Sequence, residues 1–525
     1  MLLRVLYKVV YILVLSAMLF AAAACSSVIQ TDLVDTATVG EPAEVESSTA
    51  PISTDGATSG DPNPGTTTPE PVRETQPNDV AQDVDDDLID AVEIPGDTLW
   101  GIEMHSVSTA GGLDLVKGAG ADWVRRNALL WSHVEPQEGE RKWDALAGLE
   151  DEMISASKEG VELILIVRRT PVWAQKNLGV YCGQIKDEKV DEFASFMYDV
   201  VERYSAPPYN VKYWEIGNEP DIDPAIVEAD SIYGCLGDSS ADLFGGDYYA
   251  SVLKLAYPHV KAANPDAQLL VGGLLLDCDP IDPPETSEGS GEYKDCTSSR
   301  YLEGILDAGG GDYFDGVSFH AYDYYYGGLG KYGNLNWHSE WNSTGPVLSQ
   351  KTEYIRSILN QFGYFDKYLI NSEVAIICGS TGEEPYCQTD EFELTKAYYA
   401  AQAYASALAE GLKANIWYST VGWRGSGMFT GGNTPLLVFD AYQFSAQELS
   451  FSEYVGQVSP APGVTGYEFI RDDTHIWILW SVDGESHLVQ LTFDTMAVYD
   501  VFGAPLPDVQ ELQVNLEPVY IEFVP

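Results

Sequence analysis

Two glutamates in this chain stand where a carboxylate can exchange a proton or attack an electrophile. The first is Glu219, within Trp214-Glu215-Ile216-Gly217-Asn218-Glu219-Pro220-Asp221. The apolar-rich residues 211–213 precede it and a loop follows. The stretch therefore predicts a strand that delivers Asn218 and Glu219 at its C-terminal tip. A carboxylic acid beside an amide suits proton donation to a leaving group plus a hydrogen bond to a substrate hydroxyl. The second is Glu373, which ends Tyr368-Leu369-Ile370-Asn371-Ser372-Glu373 at another predicted strand tip. Two carboxyls dividing such work must differ in protonation, one acid and one ionised. A nearby cation would keep the ionised one charged. Arg125 and Arg126 compete for that place, because neighbours on a strand face opposite sides.

The elements that must position these groups follow from the apolar pattern. Strand candidates fall near residues 100–104, 123–127, 163–167, 211–216, 269–274, 316–320, 368–371 and 414–418. Most are short apolar runs, as strands covered on both faces require. Helical patterns lie between them, at 146–159, 248–263, 302–307, 351–362, 393–410 and 441–453. In another, Val190, Phe193, Ala194, Met197, Val200, Val201 and Tyr204 share one face. Eight strand–helix units in about 350 residues predict an α/β chain folded as a (β/α)8 TIM barrel with enlarged loops. A doubly wound sheet would carry a Gly-x-Gly-x-x-Gly turn after the first strand, and none is present. The expected domains are a barrel over 96–456 and a small C-terminal antiparallel, β-sandwich-like domain over 457–525. Strands are expected there at 467–470, 476–480, 488–491 and 519–523, with turns at Asp472-Asp473 and Asp483-Gly484.

Asn218-Glu219-Pro220 resembles the fourth-strand signature of clan A glycoside hydrolases, (β/α)8 barrels that cleave glycosidic bonds with retention. The resemblance covers about residues 99–455, and Glu373 matches the seventh-strand nucleophile. It implies that Glu219 is the acid/base, Glu373 the nucleophile, and that their carboxyls lie about 5 to 5.5 Å apart. Arg125 resembles the second-strand arginine beside the nucleophile and is favoured over Arg126. His320-Ala321-Tyr322 resembles the sixth-strand His-x-Tyr, with Tyr322 bonded to Glu373 and His320 lining the site. Trp417 resembles the aromatic floor under the sugar. His105 ends the first strand near Glu103. Trp173, in Thr170-Pro171-Val172-Trp173-Ala174, resembles part of a loop of the β-xylosidase and α-L-iduronidase family. Trp131-x-x-x-Glu135-Pro136 resembles a second segment of that family and reads as structural. The cellulase-type family of the clan fits as well. The long loop after the sixth strand crowds Tyr324, Tyr325, Tyr326, Tyr332, Trp337 and Trp341, which suggests glycan subsites. No cofactor or metal is expected; the substrate would be a carbohydrate. The rival reading is a glycan-binding surface lipoprotein without catalysis.

The remaining features concern where the protein works. Arg4 and Lys8, the apolar run 9–20 and Ala21-Ala22-Ala23-Ala24-Cys25 read as a lipoprotein-type signal over residues 1–25. Cys25 would carry the lipid, although Ala22 replaces the usual Leu. Residues 26–95, rich in Ser, Thr, Pro and Asp, read as a disordered linker spanning on the order of 45 Å. The expectation is an extracellular, membrane-anchored monomer. A net charge of −53 argues against nucleic acid. Cys182, Cys235, Cys278, Cys296, Cys378 and Cys387 remain, an even number in an exported chain. They lie in barrel loops, and neighbouring loops can bridge. The predicted pairs are 182–235, 278–296 and 378–387, among fifteen that sequence permits.

Overall fold

The structure is a computed structural model that describes residues 99–525, except 232, 287–288, 335–339, 342 and 508–509. The expected signal segment, Cys25 and the linker lie outside the described residues, as does Trp337. Eight strands form the barrel: β1 (Trp100–Glu103), β2 (Trp123–Leu130), β3 (Glu162–Arg168), β4 (Tyr213–Ile216), β5 (Gln268–Leu274), β6 (Gly316–Tyr325), β7 (Tyr368–Ile377) and β8 (Ala414–Trp417). Each pairs in parallel with the next, and β8 pairs with β1, which closes the ring. The helices are α1 (Leu113–Gly118), α2 (Ala147–Glu159), α3 (Val190–Tyr204), α4 (Gly246–Ala263), α5 (Tyr301–Asp307), α6 (Leu348–Gln361), α7 (Asp390–Ala409) and α8 (Leu437–Leu449). All seven apolar positions singled out on α3 are buried.

The barrel axis is filled by Trp123, Ile164, Tyr213, Leu270, Ile370, Ala414 and Ile416. These residues fix which face of each strand looks inward. On β1 the inward position is Gly101. A Cβ there would sit 2.2 Å from Ile416 Cδ1 and 2.8 Å from Trp123 Cβ, so the large neighbours require a glycine. Two strands overrun their predicted ends. β6 and β7 stay paired from His320↔Glu373 to Tyr324↔Ile377 after a bulge at Phe319/His320. Glu373 therefore lies within β7 rather than at its tip. The polar-aromatic run after His320 hid this extension, yet all ten residues of β6 are buried.

After α8 the chain enters a five-stranded antiparallel sheet. In spatial order its strands are Glu453–Val458, Val464–Arg471, Thr474–Ser481, Val519–Phe523 and Thr495–Tyr499. A two-stranded sheet joins His487–Gln490 to Glu511–Val514. The strands at 453–458, 495–499 and 511–514 were not expected. The first of them begins at Glu453, the residue read as the end of the final helix, which stops at Leu449. Phe469, Ile476, Ile478, Trp480 and Tyr520 join the same apolar core as α7 and α8, which seats the sheets on the barrel. Arg471 reinforces the seam through the backbone carbonyl of Glu448.

The disulfides are Cys182–Cys235, Cys278–Cys296 and Cys378–Cys387, as expected. The first ties the loop after β3 to the loop after β4; the others each close one loop.

Candidate active site

Strand alternation brings Arg125 into the barrel, two residues beyond Trp123. Arg126 points the other way and pairs with Glu152 of α2 at 2.6 Å. Arg125 is fully buried, and four partners use its guanidinium. Nη1 donates to Glu373 Oε1 at 2.5 Å and to Glu103 Oε2 at 2.7 Å. Nε donates to Glu215 Oε2 at 2.9 Å, and Nη2 to Asn218 Oδ1 at 2.6 Å. One cation on β2 thus gathers side chains of β1, β4, β7 and the turn after β4. Glu215 escaped the sequence reading, although it shares the inward face of Tyr213 on β4. That alternation was the available signal.

The two principal carboxyls have different neighbours. Glu373 takes Arg125 on one oxygen and the Tyr322 hydroxyl on the other. Glu219 meets His320 Nδ1 at 2.9 Å, and His320 Nε2 lies 3.4 Å from Glu373 Oε1. His320 fits between them because residue 273 is glycine; a Cβ there would lie 2.1 Å from His320 Nε2. Glu219 has a φ of 52°, uncommon for a residue with a side chain. Its N–H donates to the Gly273 carbonyl at 2.9 Å, which fixes this turn of chain.

Burial raises the pKa of Glu219 well above the carboxylate range, and the charges of Glu373 and Asp221 add to it. Glu373 is also raised by burial, but Arg125 and Tyr322 pull it back. When one proton is shared between them, it rests on Glu219. His320 is held well below its usual value by burial, then by Arg125 and Lys351, so it stays neutral. Lys351 itself was missed. It is buried on α6 and donates to the backbone carbonyls of Leu275 and His320, both at 2.8 Å. Burial pushes Glu103 up to about 8 against the pull of Arg125.

Trp417 is not at the floor of this site. Its residue is fully buried, and its Nε1 donates to the Ser426 carbonyl at 2.9 Å. Its ring tilts against Tyr399 of α7, 6.2 Å away. Ile416 faces the barrel axis, so alternation gives that face to Tyr418 rather than Trp417. Tyr418 meets the Tyr322 ring edge-on at 6.0 Å, and half-exposed Trp423 does so at 6.5 Å. His105 is exposed in the loop after β1 and does not touch the carboxyls. Trp173 packs edge-on against Trp131 at 5.3 Å and donates to the Glu135 carbonyl. It braces the segment in which Glu135 binds Trp131 Nε1 and Gly139 N–H. Tyr324 and Tyr325 end β6 and are buried, Trp341 in the loop beyond is buried too, and Tyr326 is exposed.

Glu219, His320 and Glu373 each offer one ligand atom, all within 4.8 Å of one another. The trio could crowd a divalent cation. Arg125 already supplies a positive charge at Glu373.

No family model matches the sequence, and no curated protein sequence matches it. Solved structures do. One is a family 39 glycoside hydrolase from the gut symbiont Bacteroides cellulosilyticus WH2. It has 19% identity and a TM-score of 0.58 over 81% of this chain and 80% of that one. A second is a family 30 endoxylanase from Clostridium papyrosolvens C71, with 11% identity and a TM-score of 0.54 over 82% and 97%. A third is a family 51 α-L-arabinofuranosidase from Bifidobacterium longum, with 13% identity and a TM-score of 0.52 over 83% and 98%. The fold is thus a (β/α)8 barrel with a C-terminal β-domain, the architecture of these glycoside hydrolases.

Proposed function

We propose that the protein is a retaining glycoside hydrolase that cleaves O-glycosidic bonds of poly- or oligosaccharides. The observation that carries this reading is the pair Glu219 and Glu373, with nearest oxygens inside 4.8 Å and opposed surroundings. That closeness suits a nucleophile that reaches the anomeric carbon directly, rather than a base acting through water. Glu373, charged and aimed by Arg125 and Tyr322, attacks the anomeric carbon. Glu219 gives its proton to the departing glycosidic oxygen. The glycosyl ester on Glu373 is then hydrolysed by a water whose proton passes to Glu219. Asn218, held by Arg125, is the donor for a sugar hydroxyl, and Tyr418 and Trp423 offer aromatic faces to the ring. The neighbours in families 39, 30 and 51 support the carbohydrate substrate.

We further propose export and tethering through a lipid on Cys25. The support is the charged, apolar and small-residue order of the first 25 residues. Among the described residues no helix is long and apolar enough to cross a membrane.

The test is hydrolysis of a panel of aryl glycosides and polysaccharides by the full chain, beside Glu219→Gln and Glu373→Gln. Both variants should lose about 10³-fold or more on the substrate the wild type cleaves. Activity that survives Glu373→Gln would refute the nucleophile.

A further inference from the structure

In a chain of net charge −53, cations are scarce and acids crowd them. Among the described residues every arginine is ion-paired to a carboxylate except three: Arg168, Arg169 and Arg424. All three follow barrel strands on the same end as Glu219. Arg168 is the last residue of β3 and Arg169 the next; Arg424 lies in the loop after β8.

Arg168 continues the inward face of Ile164 on β3. It pairs in register with Leu130 of β2, while Val167 pairs with Ile216, three residues before Glu219. Its Nε donates to Asn127 Oδ1, which fixes the guanidinium plane. Neither of its Nη atoms has an acceptor within the protein among the described residues. Arg169 has a φ of 72° and lays its guanidinium over the Tyr181 ring at 4.5 Å. A largely apolar cavity of about 40 Å³, walled by Trp131, Ile185, Phe193, Leu236 and Val252, adjoins both arginines and reaches Gly217 and Tyr233. Its volume is space for about three water-sized groups.

Two adjacent half-buried guanidinium groups without a direct ion-pair partner repel each other and lose hydration. Burial and Arg169 lower the pKa of Arg168 to about 10 against the pull of the more distant Glu103. Such an arrangement is stabilised by an anion brought from outside. Tyr233, across the cavity, precedes Gly234, whose N–H donates to the Asn218 carbonyl, so it borders the same cleft.

We infer that Arg168 and Arg169 form an anion subsite beside the cleaved bond, and that the natural glycan carries carboxylate or sulfate groups. This rests on the glycosidase reading for the cleft, but its test does not depend on cleavage. An anionic polymer is repelled by most of this surface, so the free arginines set both where it docks and its register.

The experiment is titration calorimetry with the full-length Glu219→Gln protein. The probes are glucuronoxylan and polygalacturonate, each beside its carboxyl-reduced form, and chondroitin sulfate beside its desulfated form, which keeps its carboxylates and so isolates the sulfate. At least one charged chain should bind 10-fold or more tighter than its neutralised form. That advantage should fall as salt rises from 50 to 500 mM. Arg168→Gln should weaken it by about 10- to 100-fold, and Arg168→Lys should retain part of it. Preference for the uronates assigns carboxylate as the anion; preference for chondroitin sulfate assigns sulfate. Equal binding of charged and neutralised chains, or a preference untouched by Arg168→Gln and Arg169→Gln, overturns the inference. Cleavage of a neutral glycan with no such preference would leave the glycosidase reading standing and remove this one.

Discussion

Replacing Tyr322 with Phe removes one hydroxyl and leaves the ring, its contacts with Tyr418 and Trp423, and the backbone of β6 in place. The lost group is the donor to Glu373 Oε2. A hydrogen bond to a charged acceptor contributes about 1.5–3 kcal/mol. Nearly all of it favours the ionised carboxylate, so its loss raises the pKa of Glu373 by about 1 to 2 units. Glu373 must be ionised to attack, and the acid limb of the pH profile of kcat/KM reports that ionisation. The limb should therefore move up by about 1 to 2 pH units in Tyr322→Phe. On the acid side the variant loses about 10- to 100-fold, and the loss shrinks above the shifted limb. The assay is kcat/KM for an aryl glycoside at half-unit pH steps, with thermal unfolding to show that the fold is intact. A uniform loss at every pH with an unmoved limb would refute the electrostatic role and leave Tyr322 a packing residue.

Four other outcomes follow from the same geometry. Glu103, with a pKa raised to about 8 in the fold, keeps a proton that the unfolded chain releases near pH 4.3. Its contribution is favourable below the unfolded pKa and is lost as pH climbs toward 8. Glu103→Gln has no such dependence, so its thermal midpoint relative to wild type should rise by a few degrees from pH 4 to pH 8. Tyr418→Ala should cut kcat/KM by about 10-fold or more, whereas Trp417→Phe should lower the melting temperature with little change in KM. Removing Cys182–Cys235, whose ends are 53 residues apart, should cost about 4 kcal/mol by chain entropy, read from denaturant unfolding of the Cys182→Ser, Cys235→Ser double variant beside wild type.

Much of the barrel was legible because buried parallel strands are short apolar runs and the amphipathic face of α3 repeats with helical period. The expected roles of Arg125, Tyr322 and His320 came through resemblance. Alternation from Trp123 then explains why Arg125, rather than Arg126, enters the barrel. The misplaced and missed residues have separate causes. Trp417 and Tyr418 are adjacent aromatics, and only the inward Ile416 decides which of them faces the cleft. Glu215 looked like one acid among 81 Asp and Glu residues until Arg125 gathered it. Lys351 acts from the start of a helix through backbone carbonyls, a contact with no sequence pattern. The aromatics from Tyr324 onward read as subsites by composition, but Tyr325 packs on Tyr386 and Phe392, and Trp341 on Tyr354.

The central claim is that Glu373 becomes covalently glycosylated. The direct measurement is peptide mass mapping after reaction with an activated 2-deoxy-2-fluoro glycoside of the sugar selected by the hydrolysis panel. A mass increase of one glycosyl unit on the peptide that holds Glu373, absent in Glu373→Gln, is the predicted result. An adduct on Glu103 or Glu215, or inverted product with no adduct at all, would contradict it.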